Sequence, residues 1–146
     1  MAASPVKVLV VDDYEPFRRF VCSMLGERPE LQIIGNASDG LEAVQKAEEL
    51  RPDLILLDVG LPTLNGIAAA RQIRRLVQES KIVFVSQERS ADVVQEAFRL
   101  GALGYVIKTD ARSELLNAVS AVLRGETFAS SELAEHSFTE PSVQPL

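Results

Sequence analysis

Cysteine, histidine and long apolar runs are scarce in this sequence. It contains one cysteine, Cys22, and one histidine among 146 residues. A lone thiol excludes an intrachain disulfide, and a chain without disulfides fits a reducing compartment. No apolar run approaches the roughly 18 residues that span a bilayer, and the first residues lack the basic and apolar parts of a signal peptide. We therefore expect a cytoplasmic protein without a membrane partner.

Positive charge is also in short supply. Fifteen Lys and Arg residues stand against 21 Asp and Glu residues, which leaves a net charge of −6. A negative surface repels phosphate backbones, so we expect no direct contact between this chain and nucleic acid. The length and the hydrophobic fraction of 47% suit one globular domain with its own core.

The sequence does contain five short apolar runs rich in β-branched residues, and these predict five strands. They lie at residues 6–11, 32–37, 54–57, 82–85 and 104–107. Between the runs, apolar residues recur with the spacing of a helix that buries one face. A βα unit repeated five times favours a doubly wound α/β fold, in which a five-stranded parallel sheet carries helices on both faces.

This repeat stops near residue 125. Residues 126–146 contain four glutamates and two prolines but no lysine or arginine. Such a composition is typical of segments that do not build a core. We predict one domain over residues 1–125, followed by an acidic polar tail or truncated linker over residues 126–146.

Polar residues follow the predicted strands. Asp12 and Asp13 follow the first strand, Asp58 ends the apolar run of the third, and Ser86 and Lys108 follow the fourth and fifth. In open parallel sheets, sites form outside the carboxyl ends of the strands, so we expect these side chains to converge. Clustered carboxylates repel one another, and a divalent cation relieves that repulsion.

An oxygen-only ligand set favours Mg²⁺, which keeps several waters and accepts phosphate oxygens as further ligands. We expect Asp13 and Asp58 to bind the ion directly, the backbone carbonyl of Gly60 to add a ligand, and Asp12 to act through a water. A carboxylate can also attack a phosphoryl group and form an acyl phosphate. The ammonium of Lys108 can then bind the phosphate oxygens.

Four segments resemble the receiver domain of two-component response regulators. They are VLVVDDYEPFR (8–18), LILLDVGLPTLNGI (54–67), FVSQ (84–87) and GYVIKTDARSEL (104–115). The likeness extends over residues 6–124. The sequence around Asn65-Gly66-Ile67 and at residues 101–105 is most similar to that of the NarL/FixJ-type subgroup.

The resemblance implies a CheY-like, flavodoxin-like three-layer sandwich whose five-stranded parallel sheet has the order 2-1-3-4-5. It implies a signalling switch, not an enzyme beyond its own phosphotransfer and dephosphorylation. Asp58 would accept a phosphoryl group from a sensor histidine kinase, with Mg²⁺ required. Asp12 and Asp13 match the family's acidic pair, and Lys108 matches its lysine.

The resemblance also implies how phosphorylation becomes output. Ser86 matches the family's switch hydroxyl and Tyr105 its switch aromatic, so Ser86 would move toward the phosphate while the Tyr105 ring turns in from the surface. The face formed by helix 4, strand 5 and helix 5 would then change for an output domain, a partner protein or a second copy of the chain. The expected output is transcription through a DNA-binding domain absent from this chain.

Two positions depart from the family pattern. Gln87 follows the switch hydroxyl where the family usually has a small residue, and Gly60 is smaller than many receivers carry two residues after the phosphoacceptor. Gln87 keeps open the alternative of a receiver-fold interaction module without regulated phosphorylation. An aspartate-nucleophile phosphohydrolase would place a second aspartate at the position of Gly60, so this residue argues strongly against that alternative.

Overall fold

A computed structural model describes residues 4–134 of the chain, and residues 135–146 of the predicted tail lie outside the described range. Strands and helices alternate along the chain. They are β1 (Val6–Val11), α1 (Glu15–Leu25), β2 (Leu31–Ala37), α2 (Gly40–Leu50), β3 (Leu54–Leu57), α3 (Gly66–Leu76), β4 (Lys81–Ser86), α4 (Ala91–Arg99), β5 (Gly104–Ile107), a 3-10 turn (Lys108–Asp110), α5 (Ala111–Leu123), β6 (Phe128–Ala129) and α6 (Ser131–Ala134).

All neighbouring strands are parallel, and their order is β2-β1-β3-β4-β5-β6. The predicted order of the first five strands is confirmed, but the prediction of five strands is wrong by one. The sixth strand lies within the segment that composition predicts to be a tail, and it pairs Phe128 with Gly104 and Ala129 with Tyr105. Two residues are too few for an apolar periodicity, and main-chain hydrogen bonds define this strand instead.

The sheet is the middle of three layers, because its strands bury both faces. Leu9 and Ile55 pack with α2, α3 and α4 on one side, whereas Val8, Val10 and Leu54 pack with α1 and α5 on the other. The central strands therefore consist of apolar residues throughout. Within residues 4–134, the structure contains no helix whose length and apolar character would let it cross a bilayer.

Glycine at position 66 holds α3 close to the end of β3. A Cβ at Gly66 would lie 1.9 Å from the carbonyl oxygen of Asp58, so the first turn of α3 packs directly on the backbone of this aspartate. The preceding residue, Asn65, caps the helix by accepting a hydrogen bond from the amide of Ala68 at 2.9 Å. This packing fixes the backbone from which the Asp58 side chain extends.

Candidate functional site

Strand register brings the carboxylates together at one edge of the sheet. Val11 pairs with Leu57, so Asp12 and Asp58, the residues that follow each of them, emerge side by side. Carboxylate oxygens of Asp12, Asp13 and Asp58 all lie within 4.8 Å of one another. Asp12 is 3% exposed and Asp58 is 6% exposed, whereas Asp13 faces solvent.

Lys108 lies between the two buried carboxylates. Its Nζ is 2.8 Å from Asp12 Oδ2 and 2.9 Å from Asp58 Oδ2. Burial lowers the pKa of Lys108, but the two carboxylates outweigh it and raise that pKa overall. Burial also raises the pKa of Asp12, against the opposing hydrogen bonds from Lys108 and from the Tyr14 amide. The ammonium thus compensates part of the negative charge that the sheet edge buries.

The donor set fits a hard divalent cation. Three carboxylates against one ammonium leave two formal negative charges in a small volume. All the oxygens come from carboxylates, and the exposed Asp13 lies beside the buried pair, which leaves room for coordinated water. This is the arrangement in which proteins hold Mg²⁺.

Asp58 borders an open cleft of about 350 Å³. Gly60, on the exposed side of the cleft, donates its amide hydrogen to Asp58 Oδ1 at 3.3 Å. Apart from Gly60 and its two chain neighbours, no heavy atom within residues 4–134 lies within 4 Å of the position that a Cβ of Gly60 would occupy. Gln87 lines the same cleft and is exposed, so its long side chain stands at the rim.

Ser86 and Tyr105 meet at the loop that follows β4. Ser86 is buried, and its Oγ accepts a hydrogen bond from the amide of Glu88 at 3.1 Å. Tyr105 is fully buried, and its hydroxyl donates to the carbonyl of Glu88 at 2.8 Å. Burial raises the pKa of Tyr105. The resemblance suggested a ring that starts at the surface, but the ring lies inside in this structure, next to Phe84.

Sequence reasoning missed two aromatic residues beside the site. The Phe17 ring lies 4.7 Å from Lys108 Nζ, within cation–π range, and Tyr14 is 62% exposed where it lines the cleft. The helical spacing assigned Phe17 to the buried stripe of α1 and gave no sign of this contact. The position of Tyr14 directly after the acidic pair was the available signal.

The family profile of the response regulator receiver domain matches residues 8–120. The chain belongs to the response regulator receiver family. Proteins of this family act as signalling switches, and the family identified from the four motifs is confirmed. The match covers β1 through most of α5 and includes the acidic pair, Asp58 and Lys108.

Among curated relatives of this receiver, the transcriptional regulatory protein LiaR of Bacillus subtilis (strain 168) is 36% identical over 88% of this chain and 61% of LiaR. The response regulator GacA of Pseudomonas syringae pv. syringae (strain B728a) is 34% identical over 89% of this chain and 61% of GacA. The chain therefore spans about three fifths of the length of these relatives.

A solved two-component response regulator of the LuxR family, from Aurantimonas sp. SI85-9A1, resembles this receiver with a TM-score of 0.88. The two are 30% identical, and the likeness covers 97% of this chain and all of the other. The expected NarL/FixJ-type subgroup is confirmed by this group of relatives.

Proposed function

We propose that this receiver accepts a phosphoryl group on Asp58 from the phosphohistidine of a sensor histidine kinase. The observation that carries the proposal is the position of the Asp58 carboxylate, which borders an open cleft, lies beside two further carboxylates and is 2.9 Å from Lys108. A carboxylate so placed is accessible to a phosphoryl donor and has a cation ready for the incoming charge.

In the proposed reaction, an oxygen of Asp58 attacks phosphorus, an O–P bond forms, and the P–N bond to the kinase histidine breaks. Lys108 then moves its ammonium from the carboxylate to a phosphoryl oxygen. Asp13 and Asp58 would hold Mg²⁺ together with the carbonyl of Gly60, and Asp12 would act through a water. Mg²⁺ held there would neutralise charge on the phosphoryl oxygens, which is the main requirement of phosphoryl transfer.

The proposed switch uses Ser86 and Tyr105. The Ser86 Oγ accepts a hydrogen bond from the Glu88 amide, and a rotation that brings this hydroxyl to a phosphoryl oxygen would break that bond. Charge-assisted hydrogen bonds contribute roughly 1.5–3 kcal/mol each, and a shift from 1:99 to 99:1 needs about 5.5 kcal/mol. Phosphorylation therefore shifts the conformational population of the loop after β4, whose Glu88 carbonyl accepts the hydroxyl of the buried Tyr105, and a binding partner completes the shift.

The proposed output is transcription, through a DNA-binding domain outside residues 1–146 to which residues 126–146 form the linker. The relatives LiaR and GacA are a transcriptional regulator and a response regulator by name. The face formed by α4, β5 and α5 would contact the output domain, a partner protein or a second phosphorylated copy. A cytoplasmic location suits both this role and the lone thiol.

Two observations weigh against the alternatives. An aspartate-nucleophile phosphohydrolase requires an acid or base two residues after its nucleophile, and Gly60 at this position supplies neither. Gln87 is exposed at the rim and leaves the cleft open, so its length alone gives no reason for a loss of phosphorylation.

The test is intact-mass spectrometry after incubation with acetyl phosphate and Mg²⁺. We expect the wild type to gain the mass of one phosphoryl group and Asp58→Asn to gain none. Omission of Mg²⁺ should suppress the gain in the wild type. An unmodified wild type, under conditions that label a control receiver, would favour the interaction module instead.

A further inference from the structure

Residues 128–134, which we name the strap, cover the free edge of β5. The Phe128 amide donates to the Leu103 carbonyl at 2.9 Å, and the Ser130 amide donates to the Tyr105 carbonyl at 3.0 Å. The Ser130 hydroxyl oxygen, fully buried, accepts the Ile107 amide at 2.8 Å. The strap thus satisfies main-chain groups along the whole of β5.

Side chains of the strap hold it against both flanking helices. Leu133 is 1% exposed and belongs to the core cluster that contains Val94 of α4 and Tyr105 of β5. On the other side, the hydroxyl of Ser131 donates to Glu114 of α5 at 2.7 Å. The strap therefore occupies the face of α4, β5 and α5 at which the proposed output partner would bind.

One loop connects the strap to the phosphorylation site. This loop, residues 87–90, begins directly after Ser86 and contains Glu88, which bonds both Ser86 and Tyr105. Its next residue, Arg89, forms an ion pair with Glu132 of the strap at 3.0 Å. A displacement of Ser86 therefore reaches the strap through Glu88 and Arg89.

Arg89 offsets the negative charge that gathers where the strap packs against the domain. Glu132 lies near Asp110 and Glu114. One carboxylate oxygen of Asp110 and one of Glu114 are buried without a hydrogen-bond partner within residues 4–134. Burial raises the pKa of Asp110, as do the charges of Glu114 and Glu132, whereas Arg89 opposes the shift. Withdrawal of Arg89 leaves three carboxylates to repel one another at this end of the strap.

We infer that the strap is an internal competitor for the output face, and that phosphorylation of Asp58 releases it. This inference rests on the proposed function. When Ser86 turns its hydroxyl to the phosphoryl group, the Glu88 amide loses its acceptor and the loop rearranges. Arg89 then leaves Glu132, the carboxylates repel, and the strap detaches from β5 more often. Release exposes the β5 edge and the pocket of Leu133 to the output partner.

Hydrogen exchange of the full chain tests this inference without phosphorylation. Arg89→Gln should speed exchange at the Phe128 and Ser130 amides by about three- to tenfold, since an exposed ion pair and the repulsion it masks are each small. Arg99→Gln is the matched control, because Arg99 pairs with Glu96 within α4. The double exchange of Arg89→Glu with Glu132→Arg should restore protection. Unchanged exchange in Arg89→Gln would overturn the role of the ion pair.

Hydrogen exchange, combined with intact mass, also tests whether phosphorylation releases the strap. Exchange and intact mass are measured on one sample after treatment with acetyl phosphate and Mg²⁺, with Asp58→Asn as the control. We expect a gain of mass together with faster exchange at Phe128 and Ser130. A gain of mass with unchanged or slower exchange would overturn release and leave the proposed function standing. Absence of the gain would refute the proposed function and, with it, phosphorylation-driven release.

Discussion

Lys108 Nζ lies 2.9 Å from Asp58 Oδ2, and this contact joins the end of β5 to the end of β3 across β4. The same ammonium reaches Asp12, so one cation serves two buried carboxylates. Because these opposite charges are buried together, removal of the ammonium leaves the carboxylates uncompensated. Lys108 therefore affects both the stability of the fold and the charge of the site.

Replacing Lys108 with alanine should therefore destabilise the fold. We expect Lys108→Ala to lower the free energy of unfolding by about 3 kcal/mol in Mg²⁺-free buffer, and added Mg²⁺ to recover part of the loss. Urea denaturation with and without the ion measures both effects. Lys7→Ala is the control, since Lys7 is exposed. Equal stability of Lys108→Ala and the wild type would contradict the compensating role.

Asp13 offers a cleaner test of metal binding, because it faces solvent and its loss should not disturb the core. We expect Asp13→Ala to weaken Mg²⁺ binding by about tenfold or more, with an equal or higher unfolding midpoint in the absence of the ion, because one of three mutually repelling carboxylates is removed. Calorimetric titration measures the affinity. Asp92→Ala, at an exposed position of α4, should titrate like the wild type. An unchanged Mg²⁺ titration of Asp13→Ala would refute the assignment.

Two glycines near Asp58 should respond in opposite ways to the same substitution. Gly66→Ala places a Cβ 1.9 Å from the Asp58 carbonyl oxygen, so the backbone has to move and we expect a loss of about 3 kcal/mol or more. Gly60→Ala has a Cβ that meets no heavy atom of the described residues within 4 Å beyond those of its chain neighbours. Its unfolding free energy should stay the same or rise by about 0.4–1 kcal/mol. Thermal and urea unfolding of the pair check this, and a tolerated Gly66→Ala would show that the close packing is not needed.

The open space beside Gly60 also bears on how long a phosphoryl group survives. A larger side chain there would cover the exposed side of Asp58, so we expect Gly60→Leu to slow hydrolysis of the acyl phosphate severalfold. The decay of the phosphorylated mass after removal of acetyl phosphate measures the lifetime, with Gly60→Ala as the control of intermediate size. Equal or faster decay in Gly60→Leu would show that water reaches the phosphate from elsewhere.

The start of α2 should contribute stability that depends on pH. The Ser38 amide donates to Glu42 Oε1 at 2.9 Å, and this hydrogen bond holds the pKa of Glu42 below its ordinary value of 4.5. A carboxyl whose pKa is lower in the folded state stabilises the protein above its unfolded pKa and loses that contribution as pH falls through the folded value.

We accordingly expect Glu42→Gln to be less stable than the wild type at pH 7, and the difference to vanish in acid below the folded pKa. Urea denaturation across this range provides the comparison. Glu48→Gln, at an exposed position on the same helix, is the control. A difference of the same size at every pH across this range would mean that packing, and not ionisation, is responsible.

The sequence carried enough information for the central sheet and for the place of the site. Apolar runs predict the first five strands, and the rule that parallel strands end at one edge predicts that Asp12, Asp58 and Lys108 lie together. Their roles in phosphoryl transfer stay predictions until the labelling experiments are done.

Other features depended on contacts that no local pattern encodes. The strand at Phe128–Ala129 forms because the amides of Phe128 and Ser130 reach the carbonyls of Leu103 and Tyr105, and its two residues have no periodicity of their own. The buried position of the Tyr105 ring depends on a carbonyl acceptor at Glu88, 17 residues earlier. The contact of Phe17 with Lys108 joins residues that lie far apart in the chain.

The pairing of β6 with β5 also protects the protein from self-association. A chain ending at Gly125, where composition alone places the domain boundary, would present β5 as an open edge of the sheet. Unpaired amides and carbonyls along such an edge can pair with strands of other molecules. The pocket that Leu133 fills would become an exposed apolar patch that promotes aggregation. Retaining Phe128–Ala129 and the turn that follows should therefore decide whether a shortened protein stays monodisperse or aggregates.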